Sequence, residues 1–337
     1  MSENYNILVT GGAGFIGSAL CRNIITNTNN KLIILDKLTY ASNLKSLKSI
    51  IKNENVFFFK GSISNKKIVE NILESFCPRH VFNFAAETHV DNSISNPKSF
   101  IKTNILDTHQ FLELILKYYK KLNDNEAKLF KFIQISTDEV YGDINLNQEP
   151  VKENTAYNPS SPYSASKAAG DHLVKAYYRT FGFPGLISNC SNNFGPFQNG
   201  EKFIPTIIKN LLNKKKIPVY GNGKQIREWI YVDDHCDALL KLIELGQPGE
   251  NYNIGNGNEI NNLELIKKIL TILKNISLID NLDIQNHIDF IEDRLGHDRR
   301  YAIDSSKIKQ LCNWKADTDF ELGLQKTISS ILSPNQI

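Results

Sequence analysis

Through the first half of the chain, short apolar runs alternate with longer stretches of helical periodicity. Asn6–Thr10, Lys31–Leu35, Val56–Phe59, His80–Ala85 and Phe130–Ile135 are runs of strand length with few polar interruptions, the pattern of strands buried on both faces. Gly17–Asn27, Lys66–Phe76, Pro97–Tyr119 and Ser166–Phe181 carry spacings that predict helices. Such alternation predicts right-handed β-α-β units and hence an α/β fold with a doubly wound parallel sheet. The second half is less regular. Phe203–Leu212 and Asn261–Lys274 predict helices, Asn193–Gly200 a loop and Tyr220–Lys224 a turn, and Ser277–His297 has no clear period. With no repeat and no low-complexity linker, the two halves are expected to pack closely around a cleft.

Composition narrows the function. The 337 residues are 41% hydrophobic and 22% charged, with a net charge of +3, so the chain reads as globular and lacks the strong positive field of a nucleic-acid binder. Five scattered cysteines (Cys21, Cys77, Cys190, Cys236, Cys312) form no C-x-x-C pair, and the seven histidines form no H-E-x-x-H. Neither a disulfide framework nor a metal site is expected, and a reducing compartment fits. No apolar run approaches the roughly 20 residues of a membrane helix. Met1–Tyr5 lacks a basic leader segment; the expected location is the cytoplasm.

Three motifs carry chemistry. Gly11-Gly12-Ala13-Gly14-Phe15-Ile16-Gly17 spaces glycines as G-x-x-G-x-x-G between the first strand and the first helix. Glycines there allow a tight turn and close approach to a pyrophosphate, which the free N–H groups of the helix N-terminus then receive. Asp36, at the end of the second strand, lies 19 residues after Gly17. A carboxylate there accepts the adenosine ribose hydroxyls and repels a 2′-phosphate, so NAD is expected over NADP. Tyr163 and Lys167 stand four apart behind Pro162, a good helix starter. An ammonium beside a phenol lowers the phenol pKa, so Tyr163 is expected to fall toward neutral and to take a hydroxyl proton as hydride leaves the same carbon. Finally, Thr137-Asp138-Glu139 follows the fifth apolar run, placing two carboxylates at the carboxyl end of a strand, where open α/β sheets bind ligands. Neighbouring side chains point apart and can serve different atoms of one substrate.

Together these segments resemble the extended short-chain dehydrogenases/reductases, and within them the nucleotide-sugar 4,6-dehydratases. Thr10–Gly17, Ala85–Asp91, Ser136–Gly142, Ser160–Ala168, Ser191–Pro196, Arg227–Trp229 and Asp293–Asp304 carry the resemblance. It implies a Rossmann-type domain at residues 1–190 plus about 228–258, and a smaller nucleotide-sugar-binding α/β region at 191–227 and 259–337. The implied enzyme is a hydro-lyase with tightly bound NAD. It converts dTDP-glucose or UDP-glucose to the 4-keto-6-deoxy sugar nucleotide, a step toward rhamnose or amino-deoxy sugars. In that scheme Tyr163 is the base at the 4-hydroxyl, Lys167 supports it and touches the nicotinamide ribose, and Thr137 bonds at O4. Glu139 is the base at C5, and Asp138 protonates the leaving C6 hydroxyl, which requires a raised pKa.

The same resemblance puts Ser62 and Ile63 near the adenine, and Ala85, Ala86 and Thr103 along the nicotinamide half. Thr88, Thr137, Asn192, Lys202, Tyr220, Arg227, Asn262, Arg294 and His297 become substrate contacts. A homodimer through the Pro97–Tyr119 and Ser166–Phe181 helices is implied, with no nucleic-acid or membrane partner. Ser62, Asn189, Phe194, Asn199-Gly200 and Leu295 depart from the family pattern, mostly in the nucleotide-sugar half, leaving thymine against uracil open. The rival enzyme is a UDP-sugar 4-epimerase, which shares Tyr163 and Lys167 but has no use for Asp138-Glu139. A non-catalytic NAD-binding regulator would need none of the four.

Overall fold

The computed structural model describes residues 4–333; Met1–Glu3 and residues 334–337, the outer ends of the two expected regions, lie outside the described residues. The strands in chain order are β1 (Asn6–Thr10), β2 (Lys31–Asp36), β3 (Val56–Lys60), β4 (His80–Asn83), β5 (Lys131–Thr137) and β6 (Gly185–Cys190). They continue as β7 (Asn192–Phe194), β8 (Ile217–Tyr220), β9 (Ile226–Tyr231), β10 (Asn251–Ile254), β11 (Glu259–Asn261) and β12 (Ile288–Ile291). Seven of them form one sheet in the order β3-β2-β1-β4-β5-β6-β10, every neighbouring pair parallel. The order reverses between β1 and β4, and a crevice opens there at the carboxyl ends of the strands.

Helices on both faces explain the unbroken apolar runs. Along β1 and β2, Ile7, Val9, Leu32 and Ile34 enter one core, and Leu8, Ile33 and Leu35 enter the other, as the two-residue period of a strand requires. The first five predicted strands and the Lys66–Phe76 and Phe203–Leu212 helices fall where the apolar pattern put them, within a residue or two. The Pro97–Tyr119 stretch is continuous but not uniform: Ile101–Asp107 is π-helical between two α-helical segments.

The sequence pattern did not reveal β6 or β10, which read Gly-Leu-Ile-Ser-Asn-Cys and Asn-Tyr-Asn-Ile. Their asparagines are buried but bonded: Asn253 Nδ2 donates to the Val151 carbonyl (2.9 Å), Asn251 Nδ2 to the Glu153 carbonyl (3.1 Å) and Asn189 Nδ2 to the Thr137 carbonyl (3.3 Å). Satisfied asparagines can line a core at little cost, and hydrophobic periodicity does not see them. The expected loop at Asn193–Gly200 begins inside β7, and the unassigned Ser277–His297 stretch contains β12.

The second region is built on β11-β9-β7, with β8 and β12 paired beside it. Its core joins Phe194, Ile204, Ile208, Leu265, Ile269 and Leu324. Strand β9 is the seam. Trp229 and Tyr231 point into this second core, while Ile230, and Val232 at the start of the helix that follows, enter the first. Ile308 and Trp314, far along the chain, also pack into the first core. Two regions sharing one strand are held rigidly enough to define a cleft between them.

Candidate active site

Every candidate residue named from the sequence lines one cavity of about 610 Å³ between the two regions. Its dinucleotide end is made largely of backbone. Gly11 has φ +66°, and a Cβ there would lie 2.8 Å from the Phe84 carbonyl carbon. At Gly17 a Cβ would strike the Gly11 carbonyl oxygen. The turn therefore requires glycine at both positions. Gly14 begins the Phe15–Asn27 helix with no side-chain cap, so its first N–H groups are free for an anion. Asp36 is held by the N–H groups of Ala13 (2.9 Å) and Leu38 (2.8 Å) and by the Ser42 hydroxyl (2.9 Å). Ser62, Ile63, Ala85, Ala86 and Thr103 continue the same wall. The uncapped helix start and the fixed carboxylate fit a dinucleotide.

At the catalytic end, Pro162 opens the Pro162–Phe181 helix behind a reciprocal Ser161–Ser164 cap, which sets Tyr163 in the first turn and Lys167 one turn on. Thr137 ends β5, and its hydroxyl donates to Asp138 Oδ1 (3.2 Å) while accepting the Glu139 N–H (3.3 Å). Asp138 is buried, and its Oδ2 has no partner. Burial, reinforced by the charges of Glu139 and Glu228, holds its carboxyl well above the usual range. Burial raises Glu139 too, but Arg227, Lys202 and Arg294 oppose that rise. Adjacent carboxylates thus sit in different fields: Asp138 is held protonated, and Glu139 faces three cations that favour its ion.

Tyr163 corrects one expectation. Burial, with Glu139 and Cys190, pushes its phenol well above the ordinary value, against a hydrogen bond from Thr137. Lys167 does not offset this. Its ammonium donates to the Ile135 carbonyl (2.5 Å), and burial lowers its own pKa.

Nearly the whole chain matches known proteins. A family model described as GDP-mannose 4,6 dehydratase matches residues 8–327. A dTDP-glucose 4,6-dehydratase of Escherichia coli is 49% identical over 334 residues, covering 96% of this chain and 92% of that protein. The chain belongs to the dTDP-glucose 4,6-dehydratase family. The crystal structure of a Bacillus anthracis dTDP-glucose 4,6-dehydratase in complex with NAD superposes with a TM-score of 0.85 at 40% identity, over 97% of this chain and 96% of that one. A Thermotoga maritima UDP-glucose 4-epimerase superposes nearly as well, with a TM-score of 0.84 at 29% identity over 97% and 98%. The fold alone therefore does not separate dehydratase from epimerase, and the side chains must.

At the end of this dehydratase-family cleft formed largely by the second region, the polar groups are engaged with one another. Arg294 makes a bidentate pair with Asp91 (2.6 and 2.9 Å) and stacks over Tyr220 at 4.9 Å. Lys202 donates to the Thr88 carbonyl (3.0 Å), and Arg227 to the Asp298 carbonyl (2.9 Å) while lying 4.2 Å over the Tyr301 ring. His297 Nδ1 sits 2.6 Å from Asp293, and burial lowers its pKa. Asn192 has an unpartnered, buried Oδ1, and Asn262 opens its helix against the Gln225 carbonyl (3.1 Å). Of the departures from the family pattern, Phe194 fills the second core, Asn189 is buried behind Thr137, and Leu295 is exposed. Sequence reasoning gave no role to Asp91, Cys190, Asp298 and Tyr301, all in the cavity wall; Asp91 was legible only as part of the Ala85–Asp91 segment, and Asp298 and Tyr301 only as part of Asp293–Asp304.

Proposed function

We propose that the protein is a nucleotide-sugar 4,6-dehydratase that uses NAD and acts on dTDP-glucose, with UDP-glucose as the alternative substrate. The observation that carries this reading is the Asp138–Glu139 pair with its divided electrostatics. Bound NAD supplies a hydride acceptor for C4, a donor for C6, and a positive nicotinamide ring. Tyr163 takes the 4-hydroxyl proton, and Thr137 fixes O4. A phenol raised by burial needs a nearby positive charge to ionise, so Lys167 must turn from the Ile135 carbonyl toward it. Once C4 is a ketone the C5 proton is acidic, and Glu139 removes it. Asp138 gives its proton to the C6 hydroxyl, which leaves as water. Glu139 returns a proton to C5, and the cycle closes without net oxidation.

Residues 1–190 with 228–258 hold the cofactor in this scheme, and 191–227 with 259–337 hold the sugar nucleotide. Arg227, Arg294 and Lys202 would receive the diphosphate. A homodimer fits the exposed apolar side chains Ile101, Leu106, Tyr178 and Phe181 on the two helices expected to pair. No helix among the described residues is long and apolar enough to cross a membrane, in keeping with a cytoplasmic enzyme. The test is mass analysis after separate incubation with dTDP-glucose and UDP-glucose. Loss of one water supports the dehydratase, and the faster reaction names the base. An unchanged mass with a new 4-epimer would establish the epimerase instead.

A further inference from the structure

Behind the catalytic residues, outside the cavity wall, lies a buried carboxylate that the reaction scheme does not use. Asp171 is fully buried, one helical turn after Lys167. Its Oδ2 accepts the Ser136 hydroxyl (2.6 Å) and the Tyr157 hydroxyl (3.2 Å), and its Oδ1 has no partner. Ser136 immediately precedes Thr137 on β5. Asn189 Nδ2, from β6, donates both to Tyr157 (3.2 Å) and to the Thr137 carbonyl (3.3 Å). One carboxylate therefore ties the end of β5 to the helix that carries Tyr163 and Lys167.

The charges are reciprocal. Both groups are buried one turn apart on the same helix; Asp171 is the strongest opposing charge acting on the Lys167 ammonium, and Lys167 is the strongest charge acting on Asp171. The other groups facing them are few. Lys175 lies on the same helix, Tyr157 and Tyr141 come from the loop side, and the Cys190 thiol comes from β6. Both phenols are pushed up by burial and stay neutral, and burial also pushes the thiol up, to about 12. After Lys167, the cation acting most on Asp171 is Lys175, which is half-buried. A buried ammonium without a counter-charge loses its proton readily.

We propose that Asp171 is a positioning residue of the reaction: it supplies the buried counter-charge that keeps Lys167 an ammonium and, through Ser136, Tyr157 and Asn189, fixes Thr137 against the catalytic helix. This rests on the dehydratase reading, with Tyr163 and Lys167 as its acid–base pair. The sign follows directly. Burial already lowers Lys167 and the Asp171 anion opposes that fall, so removing the anion lets Lys167 deprotonate at lower pH.

The test is the pH profile of dehydration by the NAD-loaded enzyme. Asp171→Asn keeps an acceptor for Ser136 and Tyr157 and removes the charge. Its alkaline limb in kcat should move down by about one pH unit or more, with a fall in kcat of about tenfold at pH 8 and KM within about twofold. Ser136→Ala removes a hydrogen bond and leaves the charge, so its alkaline limb should stay in place. Should Asp171→Asn fail to fold, Tyr157→Phe provides a second reading. Burial puts Asp171 near 6, and loss of a donor to its anion should raise the acid limb. An unmoved alkaline limb in a folded Asp171→Asn, an equal shift in Ser136→Ala, or an unmoved acid limb in Tyr157→Phe overturns the proposal while leaving the dehydratase reading intact. A wild-type enzyme that releases no water overturns both.

Discussion

The two ends of the cleft are built by different means. The dinucleotide end is backbone: a turn that only glycine can make, a helix start without a cap, and one carboxylate held by three donors. The sugar end is side chains delivered by short strands and loops, and these are already paired with each other, Arg294 with Asp91 and His297 with Asp293. A backbone site is preformed and admits one ligand shape. A side-chain site must exchange internal partners for the substrate, so its affinity depends on what those partners cost to displace.

The largest effect should come from Glu139, the carboxylate proposed to remove the C5 proton. Glu139→Gln should lower kcat by about a hundred- to ten-thousand-fold. Because C4 oxidation needs Tyr163 rather than Glu139, absorbance of reduced cofactor should accumulate without water loss. A variant that still releases water at the wild-type rate would remove Glu139 from the scheme. Next comes the backbone end. Gly17→Ala would force a Cβ onto the Gly11 carbonyl oxygen, and a loss of about 3 kcal/mol in cofactor affinity is expected, read as protein that purifies without NAD. Normal NAD content would show the turn to be adaptable rather than preformed.

Effects at the sugar end should be smaller and of opposite sign. Asp91→Asn releases Arg294 from a partly exposed pair, so KM for the sugar nucleotide should fall by about three- to tenfold at low salt, corresponding to roughly 1 kcal/mol. A rise in KM would mean that Asp91 positions Arg294 instead of competing for it. The smallest effect is on stability. Asp138 has a raised pKa in the folded protein, so its contribution is full below the unfolded value near 3.9 and is lost as pH rises through the folded one. Asp138→Asn should therefore raise Tm by about 1–3 °C at alkaline pH and change it little near pH 4, while lowering activity.

The same contrast governs what the sequence discloses. Gly11–Gly17 and Asp36 act through local backbone geometry and adjacent strands, so spacing alone exposes them. Thr137–Glu139 is legible because a strand end must precede it. The charge state of Tyr163 is not legible: Tyr163 and Lys167 are correctly placed one turn apart, but the ammonium finds the Ile135 carbonyl, a partner from β5 that no helical spacing reveals. Asp171, Tyr157 and Asn189 form one network from three elements, and each alone reads as an ordinary polar residue. Strands β6 and β10 were hidden by buried asparagines that only tertiary hydrogen bonds explain.

In the proposed reaction one cleft removes the C5 proton and expels the C6 hydroxyl as water. Turnover of dTDP-glucose in heavy water tests it most directly, with the product analysed by NMR and mass. The expected product is the 4-keto-6-deoxy sugar nucleotide with solvent deuterium at C5 and the original C4 hydrogen carried to C6. A product that keeps its C6 hydroxyl and takes up no deuterium at carbon would contradict it, and would leave Asp138 and Glu139 without a chemical role.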